Sequence, residues 1–175
     1  ELDRLARIFN VSVNSLLDRE KEIEVILKEG QNERKLQSGI RINVPQKNLR
    51  KFKEVLLYLL NKVGSRPNIG ETVIYKLLYF IDFDFYEKYE EQLIGATYIK
   101  NHYGPTPVEF QKIVEKMTAD IEILKVKSKF FDFPQTKYLP LRKPDLSRLK
   151  AHEIETIDNV LNKLSDMNAS QISEY

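Results

Sequence analysis

Residues 72–86 read TVIYKLLYFIDFDFY, and this segment has the periodicity of a buried helix. Its apolar side chains recur at helical spacing and form one continuous stripe, made of Ile74, Leu77, Leu78, Ile81 and Phe85. Val73, Phe80 and Phe83 lie outside that stripe, and a helix that is apolar beyond one face is buried on more than one side. We therefore expect a central helix from about Thr72 to Glu90, with the other helices packed around it.

The segment that follows reads GATYIKNHYGPTP from Gly95 to Pro107 and is predicted to be a loop. Gly95 and Gly104 tolerate positive φ angles that would strain other residues, and the two prolines fix φ and remove backbone donors. Thr106 is followed by a proline and, at the third position, by Glu109, which is the pattern of a capping box with proline as the first helical residue. This pattern predicts that a helix begins at Pro107.

The remaining apolar patterns predict three more helices and two short strands between residues 48 and 164. Because helices and strands are segregated, without the alternation of a parallel sheet, the fold class is α+β, a mainly helical domain with a few short antiparallel strands. Phe130, Phe131 and Phe133, between the strands, are expected to cover the core. The elements are helices Asn48–Val63, Glu109–Met117 and Ser147–Leu164 and strands Ile121–Val126 and Thr136–Leu141.

Two blocks of sequence together resemble a known family. KLLYFIDF from Lys76 to Phe83, followed by LIGATYIKNHYGPTPVEF from Leu93 to Phe110, resembles the Panacea domain, also called the SocA-like or GepA-type antitoxin domain. The resemblance extends over about residues 47–175. It implies an antitoxin, often encoded on phages or mobile elements, that neutralises a cognate protein toxin by direct binding. It also implies an alternative, a proteolytic adaptor that delivers the toxin to an energy-dependent protease.

The beginning of the chain carries a second, shorter resemblance. LARIFNVSVNSLL from Leu5 to Leu17 resembles the C-terminal end of an Xre-type helix-turn-helix domain, and this interpretation is favoured over two small helices packed on the rest, which would also suffice to explain these residues. The resemblance implies operator DNA binding and operon autoregulation by the full-length protein. In that family the recognition helix lies upstream, so no DNA-contacting residue is assigned. A plain phage transcription regulator whose C-terminal domain senses a ligand is the third hypothesis.

These resemblances suggest three parts for the chain. Residues 1–18 are the remnant of an all-α helix-turn-helix domain, residues 19–46 are a β-hairpin linker, and residues 47–175 are the Panacea domain. The hairpin strands are expected at Glu22–Glu29 and Gly39–Pro45, where the second alternates apolar and polar residues. Family members usually continue with a His-containing segment that ends in Pro-Trp. We therefore expect this sequence to be a fragment, truncated at its C-terminus.

Composition excludes several classes of protein. The chain has 175 residues, 42% of them hydrophobic, which is enough for a sizeable core. Without cysteine there are no disulfides, no thiol catalysis and no cysteine-ligated zinc. A net charge of +2 does not by itself argue for nucleic acid. No apolar run reaches the length of a membrane span and no signal peptide is visible, so we expect a cytoplasmic protein.

The sequence predicts a binding protein without enzymatic activity. It contains no nucleophile–base motif and no phosphate-binding glycine pattern, and we assign no catalytic residue, no cofactor and no metal. Asp82, Asp84 and Glu87 are interpreted as an acidic surface face, since residues two apart on a helix do not face each other. The candidate partner-binding residues are Tyr75, Lys76, Tyr79, Asp82, Tyr86, Tyr98, His102, Tyr103, Gly104 and Pro105.

We expect different surroundings for the side chains of these candidates. Lys76, inside an apolar stretch, must extend its ammonium to solvent or pair with Asp82 or a C-terminal carboxylate. Tyrosine offers large contact area and one polar tip. We expect Tyr79 and Tyr98 to line the rim of the core, with their hydroxyls on loop backbone. Exposure of Tyr75 and Tyr103 at an interface and their burial at that rim remain equal alternatives.

Overall fold

A computed structural model describes residues 46–175 of the chain, with side chains described from Leu49 onward. Several predicted parts of the chain lie outside the described residues: the helix-turn-helix remnant of residues 1–18, and the strands Glu22–Glu29 and Gly39–Pro45. The division of the chain into three parts therefore stays a prediction.

The described residues form an α+β fold that is mostly helical, as predicted. Two separate two-stranded antiparallel sheets accompany the helices. Every helix in residues 46–175 is too short or too polar to cross a lipid bilayer. In chain order the elements are α1 (Gln46–Val63), α2 (Glu71–Tyr89), β1 (Tyr98–Asn101), β2 (Gly104–Pro107), α3 (Phe110–Ala119), β3 (Ile123–Phe130), β4 (Phe133–Pro140), one 3₁₀ turn (Leu146–Arg148), α4 (Ala151–Leu164) and α5 (Ala169–Glu174).

The core forms around two helices rather than one. The predicted stripe of α2 is buried, and α2 contacts β2, β4, α4 and α5. Helix α1 is enclosed more completely, because residues 54–60 are buried without interruption. It contacts β4, α3, α4 and the 3₁₀ turn. Phe83, by contrast, is 48% exposed. The predicted central position of α2 is thus shared with α1, since Phe83, outside the stripe of α2, reaches the surface and Phe80 is only half-buried, although Val73 is buried.

The helix predicted to begin at Pro107 begins at Phe110 instead. Gly104 to Pro107 is strand β2, which pairs with β1 in the register Tyr98 to Pro107 and Asn101 to Gly104. The segment predicted as a loop is therefore partly a hairpin. The capping box does not form, because Glu109 is the residue before the helix and its carboxylate accepts hydrogen bonds from the Thr97 amide. Strand pairing outweighed a local capping signal.

The second hairpin differs from its prediction at the tip. Strands β3 and β4 pair from Ile123 with Pro140 to Phe130 with Phe133, longer than predicted. The expectation that Phe131 and Phe133 cover the core is wrong, because they are 82% and 76% exposed at the turn. The side chains at this tip therefore face solvent and do not enter the core.

Helix α4 begins later than predicted because the chain is extended just before it. Residues 146–148 form the 3₁₀ turn, where the Asp145 carboxylate accepts from the Ser147 amide at 3.1 Å. Leu149 is then extended, with φ −113° and ψ 129°, and its side chain is buried. The Glu153 carboxylate accepts from the Lys150 amide at 2.8 Å, which caps the helix that starts at Ala151.

A charged network joins α1 to the base of the second hairpin. Arg142 donates to both carboxylate oxygens of Glu54, at 3.0 and 2.8 Å, and to Glu122 Oε1 at 2.7 Å. Lys53 donates to Glu122 Oε2 at 2.9 Å. Burial alone would raise the pKa of Glu122, but the hydrogen bonds from Lys53 and Arg142 outweigh it and lower that pKa. The network therefore stabilises the ionised form of Glu122.

We predict that Glu122→Gln lowers the free energy of unfolding by about 2 kcal/mol at neutral pH, since it removes charge-assisted hydrogen bonds. The pKa of Glu122 is lower in the folded than in the unfolded chain. The stability that the ionised Glu122 carboxylate contributes to the folded chain is therefore fully present when the pH is above the ordinary pKa of 4.5. It is lost as the pH falls through the lowered folded pKa. Urea denaturation from neutral to about pH 3 measures this difference. Glu115→Gln, at an exposed position of α3, is the control, and a pH-independent difference would contradict the prediction.

Candidate functional site

A groove of about 830 Å³ lies between α2, the β1–β2 hairpin and α5. Helix α2 forms its floor, the hairpin forms one wall and the short helix α5 forms the other. Its lining residues are Thr72, Lys76, Tyr79, Phe80 and Phe83 of α2; Tyr98, Ile99, Lys100, Asn101, His102, Tyr103, Gly104 and Pro105 of the hairpin; and Ala169, Ser170, Ile172 and Ser173 of α5.

The groove brings together most of the residues that the sequence indicated. Tyr75 lies outside it: its hydroxyl accepts from Gln111 at 3.2 Å and its ring packs edge-on against Phe110. Asp82 and Tyr86 line a smaller adjoining pocket of about 160 Å³. The candidates in the groove itself are Lys76, Tyr79, Tyr98, His102, Tyr103, Gly104 and Pro105.

Packed aromatic rings make the wall at one end of the groove. The ring of Tyr79 lies 4.3 Å from that of Phe83 and 5.3 Å from that of Tyr98, measured between centroids. Phe80 adds a further edge-on contact with Tyr79, at 5.6 Å. Edge-to-face and tilted arrangements of this kind are the favoured ones for aromatic pairs. The wall is therefore rigid and apolar.

A buried carboxylate holds the hairpin side of the groove in place. Asp82 Oδ1 accepts from the Ile94 amide at 2.6 Å and from the Gly95 amide at 3.3 Å, and Oδ2 accepts from the Ala96 amide at 3.4 Å and the Tyr98 hydroxyl at 2.9 Å. Asp82 is only 6% exposed, so its interpretation as part of an acidic surface face is wrong. Burial raises the pKa of Asp82, and its hydrogen bonds oppose that rise.

Tyr98 connects this carboxylate to the backbone of α2. The expected contact of this hydroxyl was with loop backbone, whereas it also lies 3.0 Å from the carbonyl of Leu78, which is in helix α2. Burial, and next the adjacent Asp82, raise the pKa of Tyr98 well above its ordinary value. The phenol therefore stays protonated and can serve as a donor.

A second buried carboxylate, which the sequence analysis assigned to a helix cap, holds the other end of the same segment. Both carboxylate oxygens of Glu109 lie within hydrogen-bonding distance of the Thr97 amide, at 3.3 and 3.1 Å, and Glu109 is 1% exposed. Val108 also donates its amide to the Thr97 carbonyl at 2.9 Å. The path from Ile94 to Tyr98 is thus fixed from two sides.

The tip of the first hairpin presents the most exposed part of the groove. Tyr103 is 72% exposed, and its ring lies edge-on to that of His102 at 4.6 Å. The backbone amide of His102 donates to Asn101 Oδ1 at 2.8 Å. Gly104 has a φ of +115°, so its predicted positive φ is confirmed, and Gly95 has one of +72°. Both glycines occupy conformations that other residues rarely adopt.

Lys76 lies at the base of the groove with its side chain buried. Its ammonium donates to Ser173 Oγ of α5. The sequence suggested Asp82 or a C-terminal carboxylate as the partner of Lys76. Neither pairing is observed, because Asp82 binds backbone amides and Lys76 makes no ion pair within the described residues. Burial lowers the pKa of Lys76, because the ammonium loses solvation.

Several residues that contribute to the groove were not indicated by the sequence. Phe83 and Ile99 are half exposed in it, and Ser173 and Ile172 form its α5 wall. For Asp82 the signal was present, because it lies eight residues after Ile74 on the buried stripe. No comparable pattern in the sequence indicates that α5 packs against α2.

The arrangement of the groove is suited to binding a partner. Residues 46–175 contain no group of three or more histidine or acidic side chains positioned to hold a metal ion. Half-exposed rings beside a fixed hairpin provide contact area that loses little conformational entropy when a partner binds.

Comparison with known proteins identifies one family. The profile described as antitoxin SocA-like, Panacea domain, matches residues 74–175. No curated protein and no solved structure matches the chain. The matched segment begins at Ile74, within α2, and contains all the residues that line the groove except Thr72.

We predict that Asp82→Ala lowers the free energy of unfolding by about 3 kcal/mol, because it leaves buried backbone amides without an acceptor. Chemical denaturation measures the change. Asp84→Ala, two residues along the same helix and half-buried, is the matched control and should cost less than about 1 kcal/mol. Equal effects of the two substitutions would show that the carboxylate does not hold the hairpin.

We predict that Lys76→Met leaves the protein as stable as the wild type or stabilises it by about 1 kcal/mol. Methionine keeps the length of the side chain and removes a buried charge, a change that is often neutral or stabilising. The Ser173 hydroxyl keeps a partner, because it donates to the Ala169 carbonyl at 3.0 Å.

Thermal and urea unfolding test this expectation. Lys116→Met, at an exposed position of α3, should change stability by less than about 0.5 kcal/mol. A loss greater than about 1 kcal/mol in Lys76→Met would mean that the ammonium is needed for folding.

Proposed function

The chain belongs to the family of SocA-like antitoxins with a Panacea domain, and from this membership we propose that it neutralises a cognate protein toxin by binding it in the groove between α2, the β1–β2 hairpin and α5. Binding of this kind needs no catalytic group, cofactor or metal. The toxin is inactivated because the surface it needs is covered in the complex.

The observation that carries the proposal is the exposure of large apolar side chains around a fixed concave surface. Tyr103, Ile99 and Phe83 are 72%, 51% and 48% exposed, and all three line the groove. Large aromatic side chains in or beside a pocket are the residues that most often dominate binding energy. Two buried carboxylates, Asp82 and Glu109, fix the hairpin that presents two of these residues.

The rigidity of the surface supports sequestration as the mode of action. The backbone from Ile94 to Tyr98 is hydrogen-bonded before any partner arrives, so little of it has to be ordered on binding.

Helix α1 precedes the matched segment, but it shares the same core. We therefore include α1 in the proposed domain, in agreement with the boundary at residue 47.

Operon autoregulation remains a proposal for the full-length protein. Its support is the resemblance of residues 5–17 to the end of an Xre-type helix-turn-helix domain, a segment that lies outside the described residues. Antitoxins that bind both their toxin and their own operator would couple the amount of free toxin to transcription.

We predict that co-expression of this protein with the product of the adjacent reading frame restores growth that the adjacent product alone arrests. Tyr103→Ala and Phe83→Ala should each weaken the complex by about 2 kcal/mol, which is about 30-fold in Kd, because each removes a large side chain from the groove. Calorimetry on the purified proteins measures the affinity, and the growth assay measures the rescue.

Phe131→Ala is the matched control. It removes an aromatic side chain that is 82% exposed but lies at the tip of the second hairpin, outside the groove. This variant should rescue growth and bind as the wild type does. Full rescue by a protein carrying both Tyr103→Ala and Phe83→Ala would reject the groove as the binding surface, and absence of rescue by the wild type would reject the pairing with that product.

A further inference from the structure

Lys76 places a positive charge at the base of the groove, where the described residues supply no negative one. Its side chain is 3% exposed and its ammonium donates to Ser173 Oγ. Within residues 46–175 it makes no ion pair. Charged side chains buried to this degree are nearly always paired, since an unpaired charge is poorly solvated in a protein interior. A bound anion would complete this site.

The surroundings of the ammonium leave it able to accept such a partner. A lysine ammonium has three N–H donors, and one of them engages Ser173. On the hairpin side, a Cβ at Gly104 would lie 2.9 Å from Lys76 Nζ. Glycine at this position therefore allows the hairpin backbone to approach the ammonium without a side chain covering it, and Lys76 remains part of the groove lining.

The charge of the groove has one sign. Among the described residues, its lining includes Lys76 and Lys100 and contains no aspartate or glutamate. Lys100 is exposed on strand β1, where it can attract an anion without being desolvated. Complementarity therefore favours a negatively charged group that enters between apolar walls.

We propose that the groove binds an extended segment of the partner protein that carries an aspartate or glutamate beside large apolar residues, with the carboxylate paired to Lys76. The inference rests on the proposed function and specifies the chemistry of the toxin segment that is recognised. The aromatic wall of Tyr79, Phe83 and Tyr98 takes the apolar side chains, and the ammonium selects the acidic one.

A peptide fits these observations better than a single-stranded nucleic acid. Nucleic acids need a row of basic side chains along the backbone and open aromatic faces on which bases stack. Here one buried lysine faces the groove, and the rings of Tyr79 and Tyr98 pack edge-on against each other. One buried ammonium beside an apolar wall matches one carboxylate and its apolar neighbours.

The experiment uses a library of random twelve-residue peptides displayed on phage and selected on the immobilised protein. Recovered peptides are synthesised in two forms, with the acidic residue intact or replaced by its amide. Calorimetry measures each form on the wild type, on Lys76→Met and on Lys116→Met. Thermal unfolding shows beforehand that both variants are folded.

We predict that the recovered peptides share an aspartate or glutamate next to an aromatic or large aliphatic residue. On the wild type and on Lys116→Met the amide form should bind at least about tenfold more weakly, since a charge-assisted hydrogen bond is lost. On Lys76→Met both forms should bind equally and weakly. This equality is the sign of direct pairing, because a merely structural role of Lys76 would weaken both forms and keep the preference for the acid.

Several outcomes would overturn the inference. The first is that the recovered peptides are not enriched in aspartate or glutamate. The second is that the wild type binds the acidic and amide forms of a peptide equally. The third is that Lys76→Met still prefers the acidic form. Tighter binding of oligodeoxythymidine than of any peptide, lost on Lys76→Met, would reassign the groove to nucleic acid. No toxin is used, so failure of growth rescue with an intact acid preference would reject only the proposed function.

Discussion

Two oxygens of Asp82, on the buried stripe of α2, accept hydrogen bonds from the amides of residues 94–96 and from the Tyr98 hydroxyl. This contact decides where the chain goes after α2. It directs the backbone into the β1–β2 hairpin, and the hairpin forms one wall of the groove. Glu109 fixes the same segment from the start of α3. Without these carboxylates the buried amides would have no acceptor, and the path would not be unique.

The groove combines two properties that act in opposite directions on stability. Its walls are built from satisfied hydrogen bonds and packed rings, which stabilise the folded chain. Its base holds the ammonium of Lys76, whose burial is unfavourable without a counter-charge. A site that is destabilising in the free protein and is completed by a partner is typical of binding surfaces. The same reasoning explains Gly104, whose conformation lets the hairpin pass close to that ammonium.

Several features of the fold could be predicted because they depend on local periodicity. The α+β class and the limits of α1 and α2, to within two residues, follow from the apolar spacing. The start of α3 could not be predicted, since pairing of β2 with β1 displaced a plausible capping box. Phe131 and Phe133 were assigned to the core by hydrophobicity, but their position at a hairpin tip makes them exposed. The position of Asp82 on the buried stripe could be seen in the sequence, but the backbone amides that it binds could not, because the path of residues 94–96 depends on tertiary packing.

For the site, the sequence by itself determined which side chains were available: a tyrosine-rich helix, a glycine–proline segment after it, and a lysine inside an apolar stretch. The resemblance carried by the same residues indicated the family. Only the tertiary structure decided that α5, which begins about sixty residues after the hairpin ends, closes the groove and that Ser173 is the partner of Lys76. The physical reason is that periodicity reports which face of an element is buried, whereas the identity of the element that buries it depends on long-range packing.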